Sequence, residues 1–531
     1  MSIYLIFFSV IILLCIFLNK VSGKLGTPVL WIFICLGMVF GSDGIFKIEF
    51  ENYQFAERIC SIALIFIMFY AGFGTNWKSA KPVAVKSIML STLGVIITTA
   101  ITGVFCHFVL KFNLLESLLI GSVISSTDAA SVFSVLRSKK LHLKYNTASI
   151  LEVESGSNDP CSYMLTIIVL SLMNKNSSTG GIVLSVFTQI IFGVVFGIVV
   201  AIAAVYVLKH FKFSEGFDNI FVVAAAIVAY ALPSAINGNG YLSVYIFGII
   251  LGNKKFKNKR NLVVFFDGVT GLMQMTIFFL LGLLAFPSQI PSIIIPSILI
   301  ALFLTFVARP LAVFSLLAPL GCKLNQMLFI SWSGLRGAAS IVFAIMAVIS
   351  PAYTKHDIFH IVFCIVLFSI AIQGTLISKV ANKLNMIDEK TNVMKTFNDY
   401  TDEVPVQFIQ LVIKNNHPWK NLKIKDVNYP PNTLIVLIIR DKQQVVPNGD
   451  TVIKENDILV MSAQAFKYAE KICLNEITIS PNHEWIDKSI EELHLLPEML
   501  IIMIQRNGKI IIPHGQTKIA CDDVLVINEL D

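Results

Sequence analysis

Charged residues are scarce in this chain. Asp, Glu, Lys and Arg make up 14% of its 531 residues, whereas hydrophobic residues make up 55%. This shortage excludes a single water-soluble domain, because one core could not hide so much apolar surface. Apolar runs that approach or exceed the ~20 residues needed to cross a bilayer recur along the chain, for example at 3–18, 59–73, 182–208 and 290–307. The sequence therefore predicts a polytopic α-helical membrane protein.

Motifs for metal, nucleotide and channel chemistry are missing as well. The nine cysteines form no CxxC pair, which argues against a structural zinc site. The sequence contains no HExxH, GxGxxG or Walker A pattern, so we predict neither an enzyme nor a resident cofactor. It also lacks a TVGYG filter, which argues against a ligand-gated cation channel.

Apolar length and helix breakers predict thirteen spans. Their approximate bounds are 3–18, 27–42, 59–74, 84–110, 114–136, 146–172, 181–208, 217–234, 239–252, 263–286, 290–318, 325–349 and 357–380. Basic residues concentrate in every second loop, including Lys139, Lys140 and the run 254–260. By the positive-inside rule these loops and the C-terminal tail lie in the cytoplasm, and we expect the inner membrane as the location. The net charge of +7 follows this topology and does not indicate a nucleic-acid partner.

The tail changes character after the last span. We predict a transmembrane domain over residues 1–380, a linker over 381–403, and two modules over 404–465 and 470–531. The modules repeat without a gap at a spacing of 66 residues, as in Trp419/Trp485, Arg440/Arg506 and Asp457/Asp523. Their short β-rich runs predict small α+β units that pack on each other or across a homodimer.

Three carboxylates interrupt the sixth span in the run 152–159, Glu-Val-Glu-Ser-Gly-Ser-Asn-Asp. Helical spacing places Glu152, Ser155 and Asp159 on one face, whereas Glu154 and Asn158 lie on an adjacent face. A charge at the bilayer centre costs at least ~2.5 kcal/mol on insertion scales, so such residues indicate a functional site. We expect Asp159 to be occupied by a proton or an alkali cation, with Thr127 and Ser155 as oxygen ligands.

Two other spans are interrupted by small and polar residues. The fifth reads Ser-Ser-Thr-Asp-Ala-Ala-Ser over 125–131, and the twelfth reads Ser-Trp-Ser-Gly-Leu-Arg-Gly over 331–337. Because the two spans are seven apart, they predict inverted repeats with broken helices that cross at a midplane ion site. Asp128 would lie at that crossing. Arg336, flanked by Gly334 and Gly337, needs a buried anion, and we predict an ion pair with Glu154.

At these residues the sequence resembles the electroneutral, NhaP-like branch of the monovalent cation:proton antiporters. The match extends over about residues 1–380 and rests on Thr127-Asp128, on residues 154–159 and on residues 334–338. The resemblance implies crossed broken helices, with Asp159 binding ion or proton, Asp128 assisting, and Arg336 paired with Glu154. Asn158, where some relatives carry Asp, implies one-for-one exchange.

The third span departs from the family pattern. Related antiporters often carry an acidic residue where this chain reads Phe69-Tyr70-Ala71-Gly72, which puts sodium selectivity in doubt. The tail modules resemble the C-terminal half of the RCK domains of potassium transporters, and this association favours K⁺ over Na⁺. Some modules of this kind bind cyclic di-AMP, so the resemblance makes that nucleotide a candidate regulator, although no residue pattern here establishes it.

Structural alternatives remain for several site residues. Asp128 could be a satisfied structural polar group, and Glu154 with Arg336 could simply hold two helices in register. The prediction is a homodimeric antiporter that exchanges K⁺ for H⁺ and is regulated by its tail. The alternatives are a Na⁺/H⁺ antiporter of the same fold and a ligand-gated cation channel.

Overall fold

A computed structural model describes most of the chain. The described residues are 9–17, 29–138, 141–174, 179–211, 213–214, 216–254, 256, 259–352, 354–388, 406–415, 417–430, 433–440, 443–464, 474–481, 483–493, 499–506, 509–511 and 513–529. The chain divides into two compact units, Met1–Thr401 and Asp402–Asp531.

The first unit is helical. Its helices, in chain order, are α1 (9–17), α2 (Val29–Phe40), α3 (Tyr53–Gly74), α4 (Lys81–Phe108), α5a (Leu114–Ile124), α5b (Ala129–Ser138), α6 (Thr147–Met173), α7 (Thr179–His210), α8 (Phe217–Ala235), α9 (Gly240–Gly252), α10 (Lys259–Leu283), α11 (Pro287–Leu317), α12a (Leu324–Trp332), α12b (Ala338–Ile349) and α13 (Ile358–Lys383). Within the described residues, eight helical segments are long and apolar enough to cross a membrane. The prediction of a polytopic membrane protein is confirmed, and the count of thirteen spans stays a prediction.

Side-chain caps explain where several of these helices begin. Asn52 accepts a hydrogen bond from the Phe55 backbone N–H at the start of α3, at 2.9 Å. Asn239 does the same for Leu242 at the start of α9, at 3.0 Å. Such caps satisfy N–H groups that the first helical turn leaves without a partner, which matters most where water is scarce.

The fifth and twelfth spans are both broken at the predicted positions. Between α5a and α5b the chain leaves the helix over 125–128, and between α12a and α12b it does so over 333–337. Small polar side chains offer the backbone local hydrogen bonds that compete with the helix. The two breaks touch directly, because the backbone N–H of Asp128 donates to the carbonyl of Leu335 at 2.7 Å.

Close backbone contact holds α3 against α9. A Cβ added at Gly248 would lie 2.4 Å from the carbonyl oxygen of Phe69, and one added at Gly72 would lie 2.3 Å from that of Tyr245. Only glycine permits this approach, which is a common way to pack helices in lipid. The contact fixes α3, and with it Tyr70, against α9.

The second unit holds two antiparallel sheets. The first has the order β1-β4-β2-β3, built from Val406–Val412, Leu434–Arg440, Gln443–Val445 and Ile458–Gln464 as β1, β2, β3 and β4. The second repeats it as β5-β8-β6-β7, with β5 Leu474–Thr478, β6 Met499–Arg506, β7 Lys509–Ile511 and β8 Val524–Glu529. In the described part of this unit, a 3₁₀ turn accompanies each sheet, at Ile424–Asp426 and at Ile490–Glu492. The matching strand order is the structural counterpart of the sequence repeat.

The same ion pair lies at the end of each sheet. Arg440 binds both carboxylate oxygens of Asp457 at 2.8 and 2.7 Å, and Arg506 binds Asp523 at 2.7 Å twice. Burial by itself would raise the pKa of Asp457, but the Arg440 and Lys454 contacts outweigh it and the pKa is lowered. The pair therefore stabilises the module at neutral pH, and this stabilisation is lost as the pH falls through the lowered pKa.

Candidate functional site

The extended break of the fifth span lies against α6. The Ser126 hydroxyl donates to Oδ1 of Asp159. Asn158 Nδ2 donates to Thr127 Oγ1 at 2.6 Å. The Ser155 hydroxyl donates to the Thr127 carbonyl at 2.9 Å and accepts from the Ala129 backbone N–H at 2.9 Å. Thr127, Ser155, Asn158 and Asp159 are thus brought together as the sequence predicted, and their ion-binding roles stay predictions.

Asp128 lies at the crossing and caps the N-terminus of α5b. Its Oδ1 accepts from the Ala130 backbone N–H at 2.9 Å, and the Ser131 hydroxyl donates to its Oδ2 at 2.5 Å. A carboxylate at this position satisfies helix N–H groups and favours the positive end of the helix dipole. These contacts give Asp128 a structural task in addition to any part in ion binding. Gly337 makes room for it, since a Cβ there would lie 2.4 Å from the Asp128 Cβ.

A cavity of about 460 Å³ leads to these residues. It lies between α3, α5b, α6, α10 and the start of α12b. Its polar lining comprises Tyr70, Ser126, Thr127, Asp128, Ser134, Glu152, Ser155, Asp159, Asp267, Thr270 and Gln274. Asp159 itself is 7% exposed, so its carboxylate is nearly enclosed at one end of a polar chamber. Such a chamber suits a small hydrated cation, because carboxylate and hydroxyl oxygens can replace its water.

Sequence reasoning missed Asp267. This residue lies on α10 and accepts a hydrogen bond from the Tyr70 hydroxyl at 3.1 Å. Tyr70 occupies the position in the third span at which the family pattern has an acid, so a carboxylate from another helix lies against that position. The sequence does contain a signal for this residue. In an otherwise apolar helix, Asp267, Thr270 and Gln274 are spaced i, i+3 and i+7 and therefore form a polar face.

The predicted ion pair between Glu154 and Arg336 is not the one in the structure. Glu154 pairs with Arg309 on α11, at 2.5 Å between Oε1 and Nη2, and both side chains are buried. Gly334 makes this approach feasible, because even a Cβ there would lie 2.9 Å from the Arg309 Nε. The ion pair is close in distance but lacks the angle of a good hydrogen bond.

Arg336 instead forms hydrogen bonds at the helix breaks. Its Nη1 donates to the Ser126 carbonyl at 2.8 Å, and its backbone N–H donates to the Ser369 hydroxyl at 3.0 Å. The Ser126 carbonyl lies where the helix is interrupted, so a strong donor is needed to satisfy it. Arg336 therefore links the second break to the first. Within the described part of the chain, no group of three His, Cys, Asp or Glu residues is arranged to hold a metal ion.

Comparison with known proteins agrees with this geometry. Residues 9–383 match the family model described as "Sodium/hydrogen exchanger, transmembrane", and residues 408–465 and 474–527 match that of the TrkA-C domain. The chain is 34% identical over 463 residues to the K(+)/H(+) antiporter NhaP of Alkalimonas amylolytica, covering 86% of this chain and 80% of that protein. It is 30% identical over 455 residues to the K(+)/H(+) antiporter NhaP2 of Shewanella sp. strain ANA-3, covering 85% and 79%.

A solved structure has the same fold. The sodium proton antiporter MjNhaP1 from Methanocaldococcus jannaschii, determined at pH 8, superposes with a TM-score of 0.64 and 25% identity, covering 70% of this chain and 99% of the other. The family resemblance and the antiporter fold inferred from the sequence are thereby confirmed. The chain belongs to the sodium/hydrogen exchanger family of membrane antiporters and carries TrkA-C domains in the sequence that follows its membrane unit.

Proposed function

We propose that this antiporter exchanges K⁺ for H⁺ at Asp159, one for one. The observation that carries the proposal is the position of Asp159, a nearly enclosed carboxylate at the end of a polar cavity and beside two crossed helix breaks. A single carboxylate can be neutralised by a proton or by an alkali cation but not by both. If the transporter changes its open side only when Asp159 is neutralised, one ion is traded for the other.

Two observations bear on the choice of cation. The relatives from Alkalimonas and Shewanella are named K⁺/H⁺ antiporters and match more than four fifths of this chain, which favours K⁺. MjNhaP1 is named a sodium proton antiporter and shares the fold, so Na⁺/H⁺ exchange is the second candidate. Asp267 beside Tyr70 supplies the cavity with a further carboxylate, on a different helix from the acid of the family pattern.

The remaining parts of the proposal concern topology and regulation. We place the protein in the inner membrane with the tail in the cytoplasm, because the lysine-rich loops follow the positive-inside rule. The cavity is lined by Gly74, Ser134 and Glu152, which lie toward the helix ends that border those loops, so it faces the cytoplasm. We further propose a homodimer whose tail binds a small regulator, with cyclic di-AMP as the first nucleotide to test. Such a regulator acts by binding two transport states unequally.

The test is transport in vesicles with an imposed pH gradient. Adding K⁺ should dissipate the gradient at lower concentration than Na⁺, and Asp159→Asn should remove the response to both. Glu49→Gln, in an exposed loop, is the matched control and should transport as the parent does. Full activity in a folded Asp159→Asn protein would reject the site, and a stronger response to Na⁺ would select the second candidate.

A further inference from the structure

A layer of aromatic rings lies on the side of Asp159 away from the cavity. Tyr163 follows Asp159 by four residues on α6, so it stands one turn further along the same helix face. The centre of its ring lies 5.1 Å from that of Tyr241 and 5.8 Å from that of Phe343. Tyr241 is 1% exposed and Phe343 is fully buried. None of the three rings lines the cavity, whereas Asp159 does, so the rings lie outside the cavity wall beyond Asp159.

The turn before α9 reaches deep into the membrane unit, so the layer of rings is thin. Helix α9 has only 13 residues. Its length is therefore ~20 Å, against a hydrocarbon core of ~30 Å. Asn239, at its N-terminus, donates through Nδ2 to the carbonyl of Pro160 at 2.9 Å. Because Pro160 is the residue after Asp159, the turn between α8 and α9 reaches the depth of the ion site.

Polar groups lie beyond the rings. On α3 the Ser61 hydroxyl donates to Oε1 of the half-buried Glu57 at 2.7 Å. The Tyr230 ring lies 5.0 Å from that of Tyr241. The buried Tyr241 hydroxyl lies toward Ser61 and Tyr230, without a hydrogen bond of good geometry to either. The charge of Glu57 is near enough to act on the hydroxyls of Tyr163 and Tyr230. Glu57 and Ser61 precede Leu64, the first α3 residue that lines the cavity, so this carboxylate and this hydroxyl lie toward the end of α3 away from the cavity.

We propose that Tyr163, Tyr241 and Phe343 form the gate that closes the ion site on the face opposite the cavity, and that Glu57 binds the monovalent cation there before the gate opens. Glu57 and the hydroxyls of Ser61 and Tyr241 are hard oxygen ligands, which suit an alkali cation. Movement of the rings out of the space between α6, α9 and α12b would join Glu57 to Asp159 through a short path. The inference rests on the proposed exchange at Asp159 and assigns its second entrance.

The cation site is tested by transport measured separately from each face. In proteoliposomes of one orientation, Glu57→Gln should raise the apparent KM for K⁺ at the Glu57 face at least fivefold. The KM at the cavity face should stay within twofold of the parent. Glu57→Asp should restore most of the affinity, and Glu49→Gln should change neither value. An equal change at both faces, or no change at either, would overturn the assignment of Glu57.

The gate is tested by a leak that requires no exchange activity. Phe343→Ala and Tyr241→Ala should each allow passive K⁺ flux, without a pH gradient and without counterflow of H⁺, at least tenfold above the parent. Phe363→Ala, a fully buried phenylalanine on α13, is the control for loss of packing. An equal leak in the control, or none in the two gate variants, would reject the gate. A gate leak in a protein that performs no exchange would contradict the proposed function and leave the gate standing.

Discussion

The two helix breaks that cross at the site carry opposite groups. The break in the fifth span, over 125–128, presents hydroxyl, carbonyl and carboxylate oxygens. The break in the twelfth span, over 333–337, presents glycines and the guanidinium of Arg336. The first break therefore supplies what a cation or proton can bind. The second break supplies space and the positive charge that satisfies interrupted backbone carbonyls. The first break is therefore suited to bind the ion, and the second to stabilise the crossing.

The largest expected effect is a loss of stability when one of the buried arginines, Arg309 or Arg336, is replaced. Arg309→Met leaves Glu154 buried without its partner, and breaking such a pair costs about 3–5 kcal/mol. Arg336→Met removes a charged hydrogen bond to the Ser126 carbonyl, worth about 1.5–3 kcal/mol. Thermal unfolding in detergent should therefore show the larger loss for Arg309→Met.

A double-mutant cycle decides which arginine belongs to Glu154. Adding Glu154→Gln should recover much of the stability lost in Arg309→Met, because the orphaned charge disappears. It should not recover the stability lost in Arg336→Met. The reverse pattern would restore the pair that the sequence predicted and would contradict the division of tasks between the two arginines.

The second effect concerns the space that the glycines leave. Gly337→Ala places a Cβ 2.4 Å from the Asp128 Cβ, so the crossing must shift, and we expect at least a tenfold loss of exchange rate. The nearest atom to a Cβ added by Gly334→Ala is the Arg309 Nε, at 2.9 Å, which belongs to a flexible side chain, so this change should cost less. Gly268→Ala on α10 is the control, since no atom lies within 4 Å of its added Cβ. Equal rates for Gly337→Ala and Gly268→Ala would show that the crossing tolerates movement.

Sequence reasoning located both breaks for a physical reason. Runs of Ser, Thr, Asp and Gly in apolar spans are costly in lipid and rarely occur without a task, so residues 125–131 and 331–337 stood out. The hydrogen bond from Ser126 to Asp159 was not predicted. Thr127, Ser155 and Asn158 were identified from those runs and from helical spacing, and the family was identified from the resemblance of the same runs to known antiporters. These features are local in sequence, which is why they could be predicted.

The features that sequence reasoning missed depend on contacts between distant helices. Arg309 and Arg336 are both single cations in apolar runs, and nothing in their spacing decides which one reaches Glu154. The packing of α11 against the second break, where Arg309 lies against Gly334, brings Arg309 to Glu154. Asp267 shares a polar face of α10 with Thr270 and Gln274, but the sequence does not indicate which helix this face contacts. Only the approach of α3 and its Tyr70 places Asp267 in the cavity.

The third expected effect is a change in stoichiometry when the number of carboxylates beside the first break is increased. Asn158→Asp adds a second carboxylate next to Asp159, so we expect the site to carry two H⁺ in one direction against one K⁺ in the other, which moves one net charge in each cycle. We expect exchange to become electrogenic, which membrane-potential dyes in proteoliposomes would detect as a voltage that depends on turnover. Asn158→Ser, which removes the amide without adding a charge, is the control. Exchange that stays electroneutral in Asn158→Asp would show that this amide does not set the stoichiometry.

The smallest effect should come from a single hydroxyl of the first break. Thr127→Val keeps the shape of the side chain but removes the oxygen that accepts from Asn158 Nδ2, at 2.6 Å. The same oxygen is a predicted ligand of the cation, and losing about 1 kcal/mol of binding free energy corresponds to roughly a fivefold rise in the KM for K⁺. Thr127→Ser keeps the oxygen and should stay within twofold of the parent. If Thr127→Ser loses as much affinity as Thr127→Val, the packing of the methyl group matters more than the hydroxyl oxygen. In that case the Thr127 hydroxyl is not a ligand of the cation.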